Sequence, residues 1–300
     1  MSRPAAPVHP LIEIDVDTDL VHALLAEQHA DLADLPLHSR AHGWDNITWR
    51  LGDDLAVRLP VRAVSAPLVA NEHRWLPLIG AHVPVPTPVP VRTGVPSPLY
   101  PWPWTVVPWL PGTVVAATPV ADRTAWATQL ADALAALHVA APADAPRNPY
   151  RGVPLVERAQ VVATRLETAP DLPHRDALLD AWHDGLAAPP WREPAVWVHG
   201  DPHPGNLLSD DGRLTAVLDF GDLGHGDPAS DLATAWLTFD ADGRDAFVAR
   251  SVAARGWDDA TWRRARAWAA GLVPVFLAHP VEYPLMAAVG LHAADAVASR

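Results

Sequence analysis

Two short polar motifs are the most informative part of this sequence: Val198-His199-Gly200-Asp201-Pro202-His203-Pro204-Gly205-Asn206 and, further along, Leu218-Asp219-Phe220-Gly221-Asp222. Between them, apolar runs flank the stretch Ser209-Asp210-Asp211-Gly212, a pattern that predicts a β-hairpin. Such a hairpin brings Asn206 and Asp219 to the same end. An amide oxygen and a carboxylate placed together suit Mg²⁺, a hard cation that prefers oxygen ligands and substrate phosphates. Asp201 is then free to face an incoming hydroxyl, and the set indicates phosphoryl transfer.

The order of these residues resembles the aminoglycoside phosphotransferase family, small-molecule kinases on the protein-kinase fold. The family pattern, His-Gly-Asp-x-x-x-x-Asn and then Asp-Phe/Trp-Gly/Glu, is filled at every position. The resemblance implies that Asp201 is the catalytic base or hydroxyl-orienting carboxylate, and that Asn206 and Asp219 bind Mg²⁺. It also implies that Asp231 braces the catalytic loop from within. The alternative for Asp222, Asp227 and Asp231 is a plain turn or cap role, which is common for aspartate beside Gly and Pro.

The upstream half supplies candidates for nucleotide binding. Ile47–Leu51 and Leu55–Leu59 read as two strands of a tight hairpin, and a helix capped by Ser65 follows. The kinase fold places a phosphate-binding lysine on such a strand and a partner glutamate on the next helix. This chain has no lysine, since all 22 basic residues are arginine, so Arg58 takes that position and Glu72 is its expected partner. The alternative for Arg58 is an exposed strand arginine.

Two backbone segments complete the expected nucleotide site. Gly43 precedes the first strand of that hairpin, where kinases carry a phosphate-covering loop, although the full glycine pattern is missing. The stretch from Pro101 to Gly112 resembles the strand that leads into a kinase hinge, with Thr105 to Val107 as the strand. We expect backbone groups around Val107 to Leu110, those of Trp109 included, to contact the nucleobase, although Pro108 removes one N–H donor.

Helical patterns account for most of the remaining chain. They predict an N-terminal helix over residues 18–35 with Thr18 as its cap, and a scaffold helix from Thr118 to about residue 140. Further helical blocks cover 153–187 and 240–300, the latter with expected breaks at Gly271, Pro274, Pro280 and Pro284. In the family such helices line the acceptor pocket. The acidic and aromatic candidates there, each with surface charge or core packing as the alternative, are Asp222, Glu157, Glu282, Trp257 and Asp295.

Composition fits an enzyme of the cytoplasm. The 300 residues include no cysteine, which excludes a disulfide framework and thiol chemistry. Met1–Ala5 lacks the apolar run of a signal peptide, and no apolar stretch is long enough to span a bilayer. The net charge of −13 argues against nucleic-acid binding and suits a cationic or neutral substrate, unless it serves solubility alone.

Taken together, these features predict an α+β, two-lobed protein-kinase-like fold. Residues 1–107 would form a small lobe with an antiparallel sheet, 108–112 a hinge, and 113–300 a larger, mostly helical lobe. The expected reaction moves the γ-phosphoryl group of ATP or GTP, with Mg²⁺, to a hydroxyl of a small molecule. The resemblance makes an aminoglycoside the first expectation for the acceptor, and a macrolide or another metabolite the alternative. We expect a monomer or homodimer.

Two other classes of function stay open at this stage. A pseudokinase that only binds nucleotide would be expected to lack one of Asp201, Asn206 and Asp219, and all three are present. A zinc-dependent hydrolase would use His199 and His203, whose spacing suits a metal pair only on a helix. Gly200, Pro202, Pro204 and Gly205 argue against a helix there.

Overall fold

The structure is a computed structural model that describes residues 12–299. The segment Met1–Ala5, where the sequence predicts no signal peptide, lies outside the described residues. Among those residues the chain forms two compact units. The N-terminal unit comprises 12–81 and Thr87–Leu110, and the C-terminal unit comprises His82–Pro86 and 111–299. Within 12–299, no helix has the length and apolar character needed to cross a membrane.

The N-terminal unit is built on an antiparallel sheet of five strands in the order β1-β2-β3-β5-β4. Its strands are β1 (Leu37–His42), β2 (Asn46–Leu51), β3 (Leu55–Pro60), β4 (Arg92–Gly94) and β5 (Trp104–Pro108). Its helices are α1 (Thr18–Gln28) and α2 (Ala66–Ile79). The predicted hairpin is confirmed by the pairing of β2 with β3, in which Leu51 faces Leu55 across a turn where Gly52 has a φ of +57°. Only glycine adopts that backbone conformation without a steric penalty.

The N-terminal core forms where α1 covers the sheet. Val21, Leu24 and Leu25 of the helix are buried in one cluster with Ile47 of β2 and Trp104 of β5. The helix is shorter than the sequence predicts, and its cap is different. Asp17, not Thr18, caps it by accepting a hydrogen bond from the Leu20 N–H at 2.9 Å.

The early end of α1 has a packing reason. His29 leaves helical geometry with a φ of −143°, and its ring lies edge-on to Trp104 at 5.3 Å between centroids. A single 3₁₀ turn, Ala30–Leu32, follows in place of the predicted continuation. Core packing therefore outweighs the helical pattern of this segment.

The C-terminal unit is mostly helical. Its helices are α3 (Ala127–Leu137), α4 (Leu155–Thr168), α5 (Arg175–Ala187), α6 (Ala229–Leu232), α7 (Thr234–Thr238), α8 (Ala241–Arg255), α9 (Asp259–Phe276) and α10 (Pro284–Ala298). Its strands are β6 (Thr113–Val114), β7 (Val196–Val198), β8 (Leu207–Asp210), β9 (Arg213–Val217) and β10 (Gly224–Gly226). They form a three-stranded sheet, β6-β8-β9, and a two-stranded sheet, β10-β7. The predicted scaffold helix is only partly correct, because residues 120–126 form a 3₁₀ helix before α3 begins.

Helix α9 is the centre of this unit and packs against α4, α5, α6 and α10. The sequence-based expectation of breaks at Gly271 and Pro274 is wrong, because α9 runs through both residues to Phe276. Small side chains explain the close packing: a Cβ on Gly185 of α5 would stand 2.2 Å from the Cβ of Ala267, and one on Gly271 would stand 2.9 Å from Val162. Burial on several sides thus holds α9 together where local propensity predicts an end.

Candidate active site

A tight hairpin positions two of the predicted site residues. β8 pairs with β9 from Leu207 opposite Val217, which confirms the predicted hairpin. Its turn is shorter than expected, because only Asp211 and Gly212 lie outside the strands, at φ +44° and +69°. Positive φ at both residues is the type I′ geometry that matches the twist of paired strands. The Leu218 N–H donates to the Asn206 carbonyl at 2.8 Å, which places Asn206 and Asp219 on either side of the hairpin base.

The two side chains at this base have a donor set suited to a hard cation. The Asn206 amide nitrogen donates to the Asp201 carbonyl at 3.0 Å, which directs the amide oxygen away from that bond. Asp219 has a φ of +58°, a left-handed conformation uncommon outside glycine, and accepts a hydrogen bond from the Gly221 N–H at 3.3 Å. An amide oxygen beside a carboxylate fits Mg²⁺, which completes its coordination with waters and phosphate oxygens. Residues 12–299 hold no cluster of three or more His, Asp or Glu side chains placed to hold a metal ion.

Asp201 lies between two hydrogen-bond donors. The Arg151 guanidinium is 3.1 Å from its Oδ1, and His203 Nε2 is 3.3 Å from its Oδ2. Burial alone would raise the pKa of the Asp201 carboxyl, but His203 and Arg151 together hold that pKa well below its usual range. The group is therefore an ionised carboxylate, able to accept a hydrogen bond from a hydroxyl.

A buried aspartate fixes the backbone of the loop that carries Asp201. Asp231 is fully buried, and its two carboxylate oxygens accept from the His199 N–H at 2.7 Å and the Gly200 N–H at 2.9 Å. His138 Nε2 lies 3.0 Å from the same carboxylate. The expectation that Asp231 braces the loop from within is confirmed.

His199 and Gly200 join this loop to the segment that carries Asp219. His199 Nε2 donates to the Leu218 carbonyl at 2.8 Å, and its Nδ1 accepts from the Asp201 N–H at 3.1 Å. Both nitrogens of the buried ring are engaged, which contradicts the zinc-pair alternative. Gly200 has a φ of +90°, and a Cβ there would stand 2.3 Å from the Asp222 carbonyl oxygen, so no larger residue fits.

The N-terminal unit places its candidate residues separately. Arg58 of β3 and Glu72 of α2 form an ion pair at 3.0 Å, with side-chain exposures of only 13% and 3%. The pair therefore forms as the sequence predicts, and the exposed-arginine alternative is wrong. Gly43 lies in the turn between β1 and β2, where its N–H donates to the Asn46 carbonyl at 2.9 Å. The neighbouring Asp45 accepts from Ser65 Oγ at 2.8 Å and pairs with Arg62, so it braces the turn.

The predicted hinge segment shows one backbone donor already in use. Val107 is buried in β5 opposite Ala56. The Trp109 N–H donates to the Asp54 carbonyl at 2.7 Å, and the Arg50 guanidinium stacks over the Trp109 ring at 5.2 Å. Because Pro108 lacks an N–H, neither Pro108 nor Trp109 has a backbone donor left for another partner.

The model of the phosphotransferase enzyme family matches residues 37–268, which is well over half of the chain and includes Arg58, Glu72, Asp201, Asn206 and Asp219. The chain belongs to the phosphotransferase enzyme family. Among curated proteins, none matches the sequence.

Solved structures of phosphotransferases share the fold of this family member. The GDP complex of wild-type aminoglycoside 2'-phosphotransferase-IIIa is 20% identical, with a TM-score of 0.68, covering 93% of this chain and 97% of that one. Macrolide 2'-phosphotransferase MphH from Brachybacterium faecium, an apoenzyme, is 22% identical, with a TM-score of 0.61 and coverage of 94% and 99%. The streptomycin–ATP–APH(2")-IIa ternary complex is 18% identical, with a TM-score of 0.56 and coverage of 90% and 92%. The two-lobed kinase-like α+β fold predicted from the sequence is confirmed.

In this phosphotransferase, two residues that no sequence motif marks contact Asp201 and Asp222. Asn148 is buried, and its amide nitrogen donates to the Asp222 carbonyl at 2.9 Å and to Asp222 Oδ1 at 2.8 Å. Burial raises the pKa of the Asp222 carboxyl, and the nearby Asp201 and Asp219 raise it further. Arg151, three residues after Asn148, pairs with Asp201. No motif marks either residue, because both contacts join segments far apart in sequence.

The other acceptor-pocket candidates either pair with residues outside the two motifs, 198–206 and 218–222, or lie away from them. Glu157 pairs with Arg147 at 2.8 Å and Asp295 with His174 at 2.8 Å, both with exposed side chains. Trp257 is buried and lies edge-on to His138. Glu282 is exposed in the loop before α10. Of the five, only Asp222 lies beside the loop that carries Asp201.

Proposed function

We propose that this phosphotransferase moves the γ-phosphoryl group of ATP or GTP, in a magnesium-dependent reaction, to a hydroxyl of a small molecule. One observation supports this above all: Asp201, Asn206 and Asp219 converge on the base of one hairpin, held there by His199 and the Leu218–Asn206 hydrogen bond. An antibiotic of the aminoglycoside type is the first proposal for the acceptor. We also propose that the reaction takes place in the cytoplasm, where magnesium nucleotide is available.

In the proposed step, the Asp201 carboxylate accepts a hydrogen bond from the acceptor hydroxyl and aims its oxygen at the γ-phosphorus. A new P–O bond forms to that oxygen while the bond from the γ-phosphorus to the β–γ bridging oxygen breaks, releasing the nucleoside diphosphate. The hydroxyl proton passes to Asp201 or to the departing phosphate oxygens. Since its pKa is held low, Asp201 contributes mainly by orienting the hydroxyl. Mg²⁺ held by Asn206 and Asp219 would neutralise charge on the phosphates.

The nucleotide contacts of the N-terminal unit are proposed on the same basis. Arg58 would contact the phosphates, and Glu72 would hold its guanidinium in place through the buried ion pair. The backbone at Gly43 would cover the phosphates. Backbone groups at Val107 and Trp109 would face the nucleobase, with 108–112 as the hinge. The structures of related enzymes with GDP and with ATP support a purine nucleotide as the donor.

Glu72→Gln tests the first of these contacts. The substitution keeps the shape of the side chain but removes the charge that holds Arg58, so we expect KM for the nucleotide to rise by about tenfold, with kcat reduced less. Steady-state kinetics at saturating acceptor measure this change. Glu27, an exposed glutamate of α1, is the matched control, and Glu27→Gln should leave KM unchanged. An unaltered KM in Glu72→Gln would show that the pair does not position a phosphate-binding group.

Asp219→Ala tests the metal ligand. Asp219 is one of only two proposed protein ligands of Mg²⁺, so its loss should weaken nucleotide binding by about 10–100-fold when Mg²⁺ is present. Binding without Mg²⁺ should not change. Calorimetric titration of nucleotide with Mg²⁺ and with EDTA separates the two parts. We expect the wild-type protein to bind nucleotide more weakly in EDTA than in Mg²⁺. Asp219→Ala should bind nucleotide with the same weak affinity under both conditions. If Mg²⁺ strengthens nucleotide binding equally in both proteins, Asp219 is not a ligand.

A specific observation keeps the macrolide alternative open. The Phe276 ring lies 5.4 Å from the His203 ring, and a Cβ on Gly205 would stand 3.1 Å from the Met286 sulfur, so apolar side chains border the catalytic loop. Such a border suits an acceptor with a large apolar face, whereas the net charge of −13 favours a polycation. Other hydroxylated metabolites of similar size belong to the same alternative.

An acceptor panel decides between these possibilities. Aminoglycosides, macrolides and hydroxylated metabolites are incubated with the enzyme, Mg²⁺ and ATP or GTP, and each is examined by mass spectrometry for the gain of one phosphoryl group. The proposal expects phosphorylated product from at least one aminoglycoside. Product from macrolides alone would select the alternative acceptor. Nucleotide binding without product from any acceptor would favour a pseudokinase.

A further inference from the structure

Arg151 reaches the proposed catalytic carboxylate from a distant part of the chain. It belongs to the loop before α4, and its Nη2 donates to Asp201 Oδ1 at 3.1 Å. We propose that Arg151 is a positioning residue for phosphoryl transfer, one that fixes the orientation in which Asp201 meets the acceptor hydroxyl. This inference rests on the proposed function and assigns a role to a residue outside the two motifs.

The loop that carries Arg151 is anchored on both sides. The Asn148 Oδ1 accepts from the backbone N–H groups of Tyr150 at 2.8 Å and Arg151 at 3.1 Å. After Arg151, the Gly152 N–H donates to Ser230 Oγ at 3.2 Å, and the Gly152 carbonyl accepts from the Asp227 N–H at 2.8 Å. Because the backbone is held on both sides of Arg151, its side chain extends toward Asp201 from a fixed position. This is the kind of rigid support that holds a catalytic group in place.

Asn148 also ties this loop to the other side of the site. Its amide nitrogen donates to the backbone carbonyl and the carboxylate of Asp222. One buried side chain therefore sets the position of Arg151 relative to the segment that carries Asp219. One hydrogen-bond network through Asn148 thus fixes the relative positions of the Asp201 carboxylate, the segment that carries Asp219 and the Arg151 guanidinium.

Arg151 and His203 have different roles at the carboxylate. His203 belongs to the same loop as Asp201, and its Nδ1 accepts from the Gly205 N–H at 2.9 Å, so it moves with that loop. Arg151 comes from 50 residues earlier and fixes Asp201 relative to the rest of the unit. Each carboxylate oxygen has two lone pairs, so Asp201 keeps the capacity to accept a hydrogen bond from the acceptor.

The charges around Arg151 support the same role. Burial acts to lower the pKa of its guanidinium, but Asp201, Asp222 and Asp231 together raise it above its usual value, so the group stays charged. Its positive charge offsets the mutual repulsion of Asp201 and Asp222 in a site proposed to receive a triphosphate. No other arginine contact to Asp201 is found among residues 12–299.

The same loop offers a matched control in Arg147. Its Nη2 pairs with Glu157 at 2.8 Å, but both side chains are exposed, at 64% and 44%. Arg147 has the same chemistry and lies four residues from Arg151, but its guanidinium pairs with Glu157 and not with Asp201. Exposed ion pairs of this kind contribute little to stability.

The test compares Arg151→Ala, Arg151→Lys and Arg147→Ala with the acceptor that the wild-type enzyme phosphorylates best. We expect kcat of Arg151→Ala to fall by about 10–100-fold, the range found when an outer partner of a site residue is removed, while KM for both substrates changes much less. Arg151→Lys should recover part of kcat. Added guanidinium ion should raise the activity of Arg151→Ala, but not that of the wild type or Arg147→Ala.

A double-mutant comparison separates positioning from general damage. In the Asp201→Asn background, Arg151→Ala should have almost no further effect on kcat, because its partner is already lost. Wild-type kcat in Arg151→Ala would overturn the inference. So would a loss of activity that neither lysine nor guanidinium restores, or one that is equally large in both backgrounds. In each of these cases the wild-type enzyme still phosphorylates its acceptor, so only the role of Arg151 is overturned. If the wild-type enzyme phosphorylates no acceptor at all, both the proposed function and this inference are wrong.

Discussion

Asp201→Asn is expected to lower kcat for phosphoryl transfer by about 10³-fold, because the charge that orients the acceptor hydroxyl is lost, without loss of magnesium-nucleotide binding. The substitution keeps the shape of the side chain but removes the negative charge of the carboxylate that accepts a hydrogen bond from the acceptor hydroxyl. Nucleotide affinity should persist because the proposed metal ligands, Asn206 and Asp219, are unchanged. Rapid-quench measurement of product, together with calorimetric titration of Mg-nucleotide, measures both quantities.

A second aspartate close by in sequence provides the control for this prediction. Asp210 is exposed at the end of β8, away from the base of the hairpin, and Asp210→Asn should retain wild-type kcat. The role assigned to Asp201 is wrong if Asp201→Asn phosphorylates a verified acceptor at the wild-type rate. Equal loss in both variants would indicate a general effect of charge removal.

Asp231→Ala is expected to have the largest effect on stability. The buried carboxylate accepts from the His199 and Gly200 backbone and contacts His138, and its removal leaves these polar groups buried without a partner. Breaking a buried, charged hydrogen-bond network typically costs about 3–5 kcal/mol, so we expect the free energy of unfolding to fall by that amount. Urea denaturation followed by tryptophan fluorescence measures the change. Activity should fall with it, since the catalytic loop loses its brace.

An exposed aspartate on α8 serves as the comparison for stability. Asp245→Ala should change the free energy of unfolding by less than about 0.5 kcal/mol, as surface substitutions usually do. Asp231→Asn should lie between the two, because its amide oxygen can still accept one backbone hydrogen bond while its NH₂ group faces the other donor. If Asp231→Ala unfolds at the same urea concentration as the wild type, the buried network does not hold the loop.

Local sequence patterns predicted the parts of the site that lie close together along the chain. The Asp211-Gly212 turn fixed the hairpin, and through it the pairing of Asn206 with Asp219. The Arg58–Glu72 pair spans only one strand and one helix, so its spacing was also informative. The resemblance to the family supplied the roles of these residues.

Contacts between distant segments could not be predicted in this way. Arg151 meets Asp201 across 50 residues, and His138 meets Asp231 across 93. Each partner alone is an ordinary loop arginine or a histidine at a helix end, and only the packing of α9 and its neighbours brings the pairs together. The same packing explains one error in the helix bounds: α9 continues through Gly271 and Pro274 because its surroundings bury it on several sides.

The most direct test of the central claim follows the γ-phosphoryl group itself. Nucleotide labelled in the γ-phosphate is incubated with the enzyme and the best acceptor of the panel, with Mg²⁺ and with EDTA. We predict that the label appears on an acceptor hydroxyl, one nucleoside diphosphate is released per phosphorylated acceptor, and EDTA stops both. Label that appears only as inorganic phosphate, or transfer that continues unchanged in EDTA, would contradict a magnesium-dependent phosphotransferase centred on Asp201.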